Sequence, residues 1–221
     1  MSDFDIHMIR VKDDFKSETY AKYCAKSWTD AGFKVNFFDA VTPETVKDYP
    51  EYEFQERILP AEKGCFLSMI ALWEQCVLED KPFLILEHDA YLENPDAITY
   101  NPYVDITYFG QHCMEANLYR PSFCEFLLKV CRENENGGPF ALTEHFLGIA
   151  SKRRYGQLSR FGRPHLRFHG PDAPVRHVII PQLGTYIQRP HKPEGDRSTA
   201  DRLDRDADLF KIVPLRVALK A

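Results

Sequence analysis

The sequence predicts an α/β fold, a mostly parallel sheet flanked by helices in one domain spanning 1–221, and three observations carry that reading. Strand formers at Phe4–Val11, a helical pattern from Lys16 to Ala31 and a second strand at Val35–Phe38 make a strand–helix–strand unit. Such a unit is parallel and right-handed in almost every case. Phe83-Leu84-Ile85-Leu86 is apolar at every position, as a strand covered on both faces should be. A length of 221 residues suffices for one sizeable core and does not require two domains.

In the first helix Tyr20, Tyr23, Cys24, Ser27 and Trp28 lie near one face, and Gly32 closes it where glycine is favoured. Asp39-Ala40-Val41 leaves the second strand, and Thr42-Pro43-Glu44 carries capping chemistry for a short helix. The stretch 48–60, with its aromatics and prolines, reads as a loop. Pro60 suits the first turn of a second long helix, and Lys81-Pro82 stops it. Its Phe66, Met69, Ile70, Trp73 and Val77 form one apolar stripe. Asn94-Pro95 and Asn101-Pro102 mark turns, Val104–Gly110 alternates like a strand, and Pro121–Cys131 has amphipathic helical spacing. Residues 190–208, alternately charged and poor in apolar side chains, are expected to be flexible or solvent-facing.

The chemistry concentrates where the apolar run breaks into Glu87-His88-Asp89. Open sheets bind ligands beyond the carboxyl ends of their strands, and these acids sit at such an end. Side chains alternate along a strand, so Glu87 and Asp89 are expected on one face and His88 on the other. Two adjacent carboxylates repel and are costly to desolvate, and a hard divalent cation relieves both problems while gripping a diphosphate.

Composition narrows the classes. With 44% hydrophobic and 28% charged residues the chain is ordinary globular material. It has no basic-apolar leader and no apolar run near the ~20 residues of a membrane span, so no transmembrane segment and a cytoplasmic protein are expected. Six cysteines without a C-x-x-C pair read as buried reduced thiols and match a zinc site poorly. A net charge of −5 argues against a surface that grips nucleic acid everywhere. Lys152–His177 is nonetheless basic, with Arg153 and Arg154 among seven cations against the single acid Asp172. It reads either as a solvated face or as a groove for phosphates, those of a donor or of a nucleic-acid backbone.

Gly64-Cys65-Phe66-Leu67-Ser68, the following Leu72-Trp73-Glu74, and Phe83–Ala90 resemble the signature of glycosyltransferase family 25. That family includes lipopolysaccharide-type and collagen galactosyltransferases. Phe37-Phe38-Asp39-Ala40-Val41 is similar to its FFDAV, and Val104–Gly110 resembles its D-I-L-Y-L-G segment. Two positions depart: Met69 stands where the family has His, and His88 where it has the middle acid of Glu-Asp-Asp. The resemblance implies a GT-A-like, Rossmann-type mixed sheet. It implies a metal-dependent transfer of a hexose from a nucleotide-sugar, a UDP-sugar by preference, to a hydroxyl of a glycan, whereas the basic stretch would fit a modified nucleic-acid base as acceptor. Mn2+ or Mg2+ would be held by Asp89 and Glu87, and Asp39, Ala40, Val41, Ser68 and His88 would lie at the donor, with Arg153 and Arg154 added from the basic stretch. An inverting attack also needs a base. Glu144, which follows a Gly-rich loop and precedes an apolar run as if at a strand end, ranks ahead of Asp172 and of His165, His169 and His177.

Two other classes fit parts of the pattern. His88-Asp89 also occurs in HD-type metal phosphohydrolases, which are helical bundles with that pair in a helix. The departures at Met69 and His88 would suit a sugar-nucleotide-binding protein that has lost catalysis.

Overall fold

The strand–helix–strand unit is present as β1 (Asp5–Arg10), α1 (Phe15–Asp30) and β2 (Val35–Asp39). The computed structural model describes residues 3–50, 52, 54, 58–110, 115–133, 147, 150, 165–167 and 173–177, all within the unit Met1–Tyr186. Asp14 caps α1 by accepting the Ser17 amide at 2.7 Å, and Gly32 beyond its end takes φ +89°, which a side chain would resist. After β2 the expected short helix is a single 3-10 turn, Val46–Asp48. The Thr45 hydroxyl, which accepts the Thr42 amide at 2.9 Å, tightens the backbone just before it.

The second long helix is α2 (Pro60–Leu78), opened by Pro60 and by Glu62, whose carboxylate accepts the Leu59 amide at 2.9 Å. It feeds β3 (Phe83–Leu86), and after a turn the chain makes the short β4 (Ala90–Leu92). Then come β5 (Ile106–Tyr108), β6 (Ala116–Tyr119), α3 (Pro121–Arg132), β7 (His165–Arg167) and β8 (Val175–His177). Among the described residues the main sheet has strand order β2-β1-β3-β6-β5-β7. Every pairing that involves β6 is antiparallel and the others are parallel, so one reversed strand sits inside an otherwise parallel sheet. This is the mixed, mostly parallel α/β architecture expected for a GT-A-like fold. β4 and β8 form a separate antiparallel pair.

Two apolar layers explain why β3 reads as a continuous hydrophobic run. Phe83 and Ile85 enter a cluster with Phe66, Leu72 and Trp73 of α2 and Phe123 and Leu127 of α3. Leu84 and Leu86 enter the opposite cluster with Ala21, Cys24 and Trp28 of α1 and Ile6 and Met8 of β1. Strand alternation thus serves both faces.

Several expectations change. α2 buries more than one stripe, because Leu67, Ser68, Leu72 and Cys76 are also buried while Val77 is only half-buried. The helix is wedged between the sheet and α3, so two of its sides are covered. β5 is buried at all three positions instead of alternating, with Ile106 and Tyr108 packed into the layer of α2 and α3. β6 was not anticipated: its four residues include Asn117 and run directly into Pro121 of the next helix. The basic stretch is not simply a solvated loop, for it supplies β7 and β8. Four described cysteines are buried, but Cys65 on the outer side of α2 is exposed. Burial pushes the Cys131 thiol up to about 12 and raises that of Cys124 as well, which keeps both in the inert protonated form. No helix among the described residues is long and apolar enough to cross a membrane.

Trp73 is fully buried, edge-on to Phe66 and tilted against Tyr119. Trp73→Ala should cost ~3–5 kcal/mol, read as a lowered urea midpoint. His7 stacks on Phe83 with ring centroids 4.2 Å apart. Burial lowers its pKa below 6.5, partly opposed by Asp5 and Glu79. The unfolded chain therefore takes up a proton near pH 6.5 that folded His7 refuses. Its contribution to stability is full above that value and is lost as pH falls toward the depressed folded pKa. Urea melts between pH 5 and 7.5 should show this slope, and His7→Gln should flatten it.

Candidate active site

The carboxyl ends of β1, β2 and β3 lie side by side, with Arg10 in register with Asp39. The Arg10 Nε donates to Asp39 Oδ1 at 3.1 Å, and Lys12 Nζ stands 3.8 Å from Oδ2. The same guanidinium lies 4.8 Å from the ring centroid of Phe37. Phe37 is 41% exposed, so aromatic face, cation and carboxylate share one rim.

The exit from β2 is fixed by α2. Ser68 is fully buried, and its hydroxyl accepts the Val41 amide at 2.8 Å while donating to the Gly64 carbonyl at 2.8 Å. Gly64 presses so closely on the Val41 carbonyl that a Cβ there would overlap it. Ala40 donates to the Arg10 carbonyl at 2.8 Å. The Gly-x-x-x-Ser spacing therefore puts both residues on one helical face, one giving room and the other a hydrogen bond.

The exit from β3 is fixed by α1 instead. β3 ends at Leu86, and the Ala90 amide donates to the Glu87 carbonyl at 3.1 Å, closing a turn over His88 and Asp89. Strand alternation ends there, which corrects the expectation that Glu87 and Asp89 leave on one face. His88 meets Tyr20 of α1 edge-on at 5.9 Å. Asp89 is 5% exposed, and its charge adds to the burial that raises the Cys24 thiol on the same helix. His88 Nε2 lies 4.0 Å from Asp89 Oδ2. Two further bonds hold the descending chain: Trp28 Nε1 donates to the Ala90 carbonyl at 3.0 Å, and Ser27 Oγ accepts the Leu92 amide at 2.9 Å.

The structure thus brings Asp39, Ala40, Val41 and Ser68 together at one strand exit, and Glu87, His88 and Asp89 at another along the same sheet edge. Met69 is buried in the core beside α3, so an apolar residue fits where the resemblance had placed a histidine. Glu144, Asp172, Arg153 and Arg154 lie outside the described residues. Leu147 and Ala150 nearby are helical and buried. At these two described residues the strand expected after Glu144 is not found. Arg176 of the basic stretch pairs with Glu93 at 2.6 Å and so serves the fold. Arg10, Lys12, Ser27 and Trp28 were not singled out as site residues by the sequence. A cation closing the first parallel strand was the available signal for Arg10, whereas the bonds from α1 to β4 span over sixty positions and left none.

Ser68→Ala would strand the buried Val41 amide at a cost of ~1–3 kcal/mol, and Gly64→Ala would displace the same loop. Both should raise hydrogen exchange at Val41 selectively, while Cys65→Ala on the exposed side of α2 should leave it unchanged.

The family model described as glycosyltransferase family 25 (LPS biosynthesis protein) matches residues 9–129. No protein of curated function matches the chain. One similar solved structure is a glycosyltransferase involved in glycosylation of the major capsid of PBCV-1. It is 11% identical, with 78% of this chain and 93% of that one covered and a TM-score of 0.42. Another is a mutant Drosophila β1,4-galactosyltransferase 7 in complex with manganese, UDP-Gal and xylobiose. It is 11% identical, with 87% and 82% covered and a TM-score of 0.49. With more than half of its residues, both strand exits among them, inside the family match, the chain belongs to glycosyltransferase family 25.

Proposed function

We propose that this glycosyltransferase moves a hexose from a UDP-sugar to a hydroxyl of a glycan, with a divalent cation at Glu87 and Asp89. The observation that carries the reading is the shared rim where the family's two signature loops leave β2 and β3 on either side of β1. Asp39, with Arg10 and Lys12 fixing its carboxylate, is assigned to the ribose, and the exposed face of Phe37 to the base. His88 and the backbone at Ala40 and Val41 line the path toward the diphosphate.

Among the described residues no group of three His, Cys, Asp or Glu side chains is assembled for a metal. Glu87 and Asp89 offer two hard oxygen donors at a strand end, one half-buried and one buried. That set fits Mn2+ or Mg2+ taking its remaining ligands from phosphate and water. A bound cation of this kind neutralises charge on the departing diphosphate. The chain's own part is to hold donor and leaving group in fixed dipoles. α1 clamps the turn that carries Asp89, α2 clamps the loop after Asp39, and neither loop must reorganise as charge develops. For an inverting attack we assign the acceptor proton to Glu144 ahead of Asp172. The His88–Asp89 turn follows a strand, so the helical arrangement of the HD phosphohydrolases does not fit it.

Asp89→Ala should abolish the gain in UDP affinity that Mn2+ gives, because Glu87 would be left as the one carboxylate of the turn. Titration calorimetry with and without Mn2+ reads this directly. An undiminished gain would place the cation elsewhere, and a screen of nucleotide-sugars by the same assay identifies the donor.

A further inference from the structure

Along α1 the aromatic rings that meet the exit of β3 continue past it. Tyr20 lies edge-on to His88 at 5.9 Å. One turn further Tyr23 stacks on Tyr91 of β4, with ring centroids 5.6 Å apart and planes 26° from parallel. Residues three apart are neighbours on a helix surface, and Tyr91 follows Asp89 by two positions, at most ~7 Å of extended chain. The stacked pair therefore adjoins the turn that carries Asp89. Tyr20 is 1% exposed and serves packing, whereas Tyr23 is 42% exposed although Tyr91 covers one of its faces.

The pair has a fixed polar border. Ala90, Leu92 and Val175 enter the core with Trp28, so alternation sends Tyr91 and Glu93 to the opposite face of the β4–β8 ribbon. Arg176 stands across from Tyr91 in register. It pairs with Glu93 at 2.6 Å, and 30% and 28% of the two side chains reach solvent. The bonds from Trp28 and Ser27 to β4 hold α1 against this ribbon. Neither the Tyr23 nor the Tyr91 hydroxyl has a hydrogen-bond partner among the described residues. Burial, aided by Tyr23, Cys24, Glu93 and Asp30 nearby, raises the pKa of Tyr91, so its hydroxyl stays a donor.

An exposed aromatic face bordered by a carboxylate and a guanidinium suits one kind of ligand. A pyranose ring has a face of C–H groups, which lies on an aromatic ring, and an edge of hydroxyls, which a charged acceptor and a charged donor bind strongly. A purely apolar partner would desolvate Glu93 and Arg176 without new hydrogen bonds. A nucleic-acid backbone would bring its phosphates against Glu93 and Asp30. We propose that Tyr23 and Tyr91, bordered by Glu93 and Arg176, form a platform for a sugar ring of the acceptor glycan; the acceptor role rests on the transfer reading above. Tyr23 supplies the stacking face, Tyr91 backs it, and the ion pair orients the hydroxyls.

The test is saturation-transfer NMR of the full chain with lactose, cellobiose, xylobiose and mannobiose, in the absence of UDP and metal. At least one disaccharide should receive saturation at its ring C–H protons. Tyr23→Leu and Tyr23→Gln remove the flat face at an exposed position. Both should weaken that disaccharide about tenfold and leave Tm at the wild-type value, whereas Tyr23→Phe should stay within about threefold of wild type. In transfer from a UDP-sugar to the same disaccharide, Tyr23→Leu should raise KM about tenfold while sparing kcat and the affinity for UDP in Mn2+. No saturation in wild type, or saturation that Tyr23→Leu and Tyr23→Gln leave intact, overturns the proposal. Sugar binding lost in these variants with KM unchanged overturns it as well, since the platform would not then hold the acceptor. Sugar binding lost in them, with no transfer by wild type from any UDP-sugar, overturns the transfer reading alone and leaves the sugar platform standing.

Discussion

Burial of β3 on both faces is the constraint on which the rest of this molecule depends. Phe83 and Ile85 need the layer of α2 and α3, Leu84 and Leu86 need the layer of α1, and neither layer would be dry without the other. With both faces committed to apolar contact, charged groups following the strand can be accommodated only past its carboxyl end. The abrupt passage from Leu86 to Glu87 is the point where the core stops and the rim begins.

Each layer then does a second job. α2 carries Gly64 and Ser68 on the face that meets the exit of β2, and the close approach permitted by one positions the hydrogen bond of the other. α1 carries Tyr20, Ser27 and Trp28 on the face that meets the exit of β3, and fixes the turn of Glu87, His88 and Asp89. Both strand-exit loops are thus held by rigid elements, which reduces the entropy lost when a ligand orders them. The buried Asp89 shows the electrostatic side of the arrangement. Its charge helps keep Cys24 protonated, so the thiol beneath the turn behaves as a small apolar side chain.

The reversed strand β6 alters what the rim can hold. Because β6 runs antiparallel, its amino end and not its carboxyl end reaches the rim, which sets Glu115 across from Glu87. Gly110 is the local concession that makes room for the Glu115 side chain.

What the sequence determined by itself was whatever depends on short-range pattern. The apolar run of β3, the glycine after α1, Pro60 at the start of α2 and the amphipathic spacing of α3 are local consequences of backbone sterics and of which side chains must leave water. The two signature loops were legible too, because their spacing is bound to one helix and one strand. Tertiary structure decided the rest. The three-residue β5 and four-residue β6 are too short to announce their direction, and only pairing with β3 makes β6 antiparallel. The turn at His88-Asp89 ended strand alternation, and the chain just beyond it is held by bonds from α1, far away in the sequence. Glu115 lies across from Glu87 through register, which no window of local sequence contains.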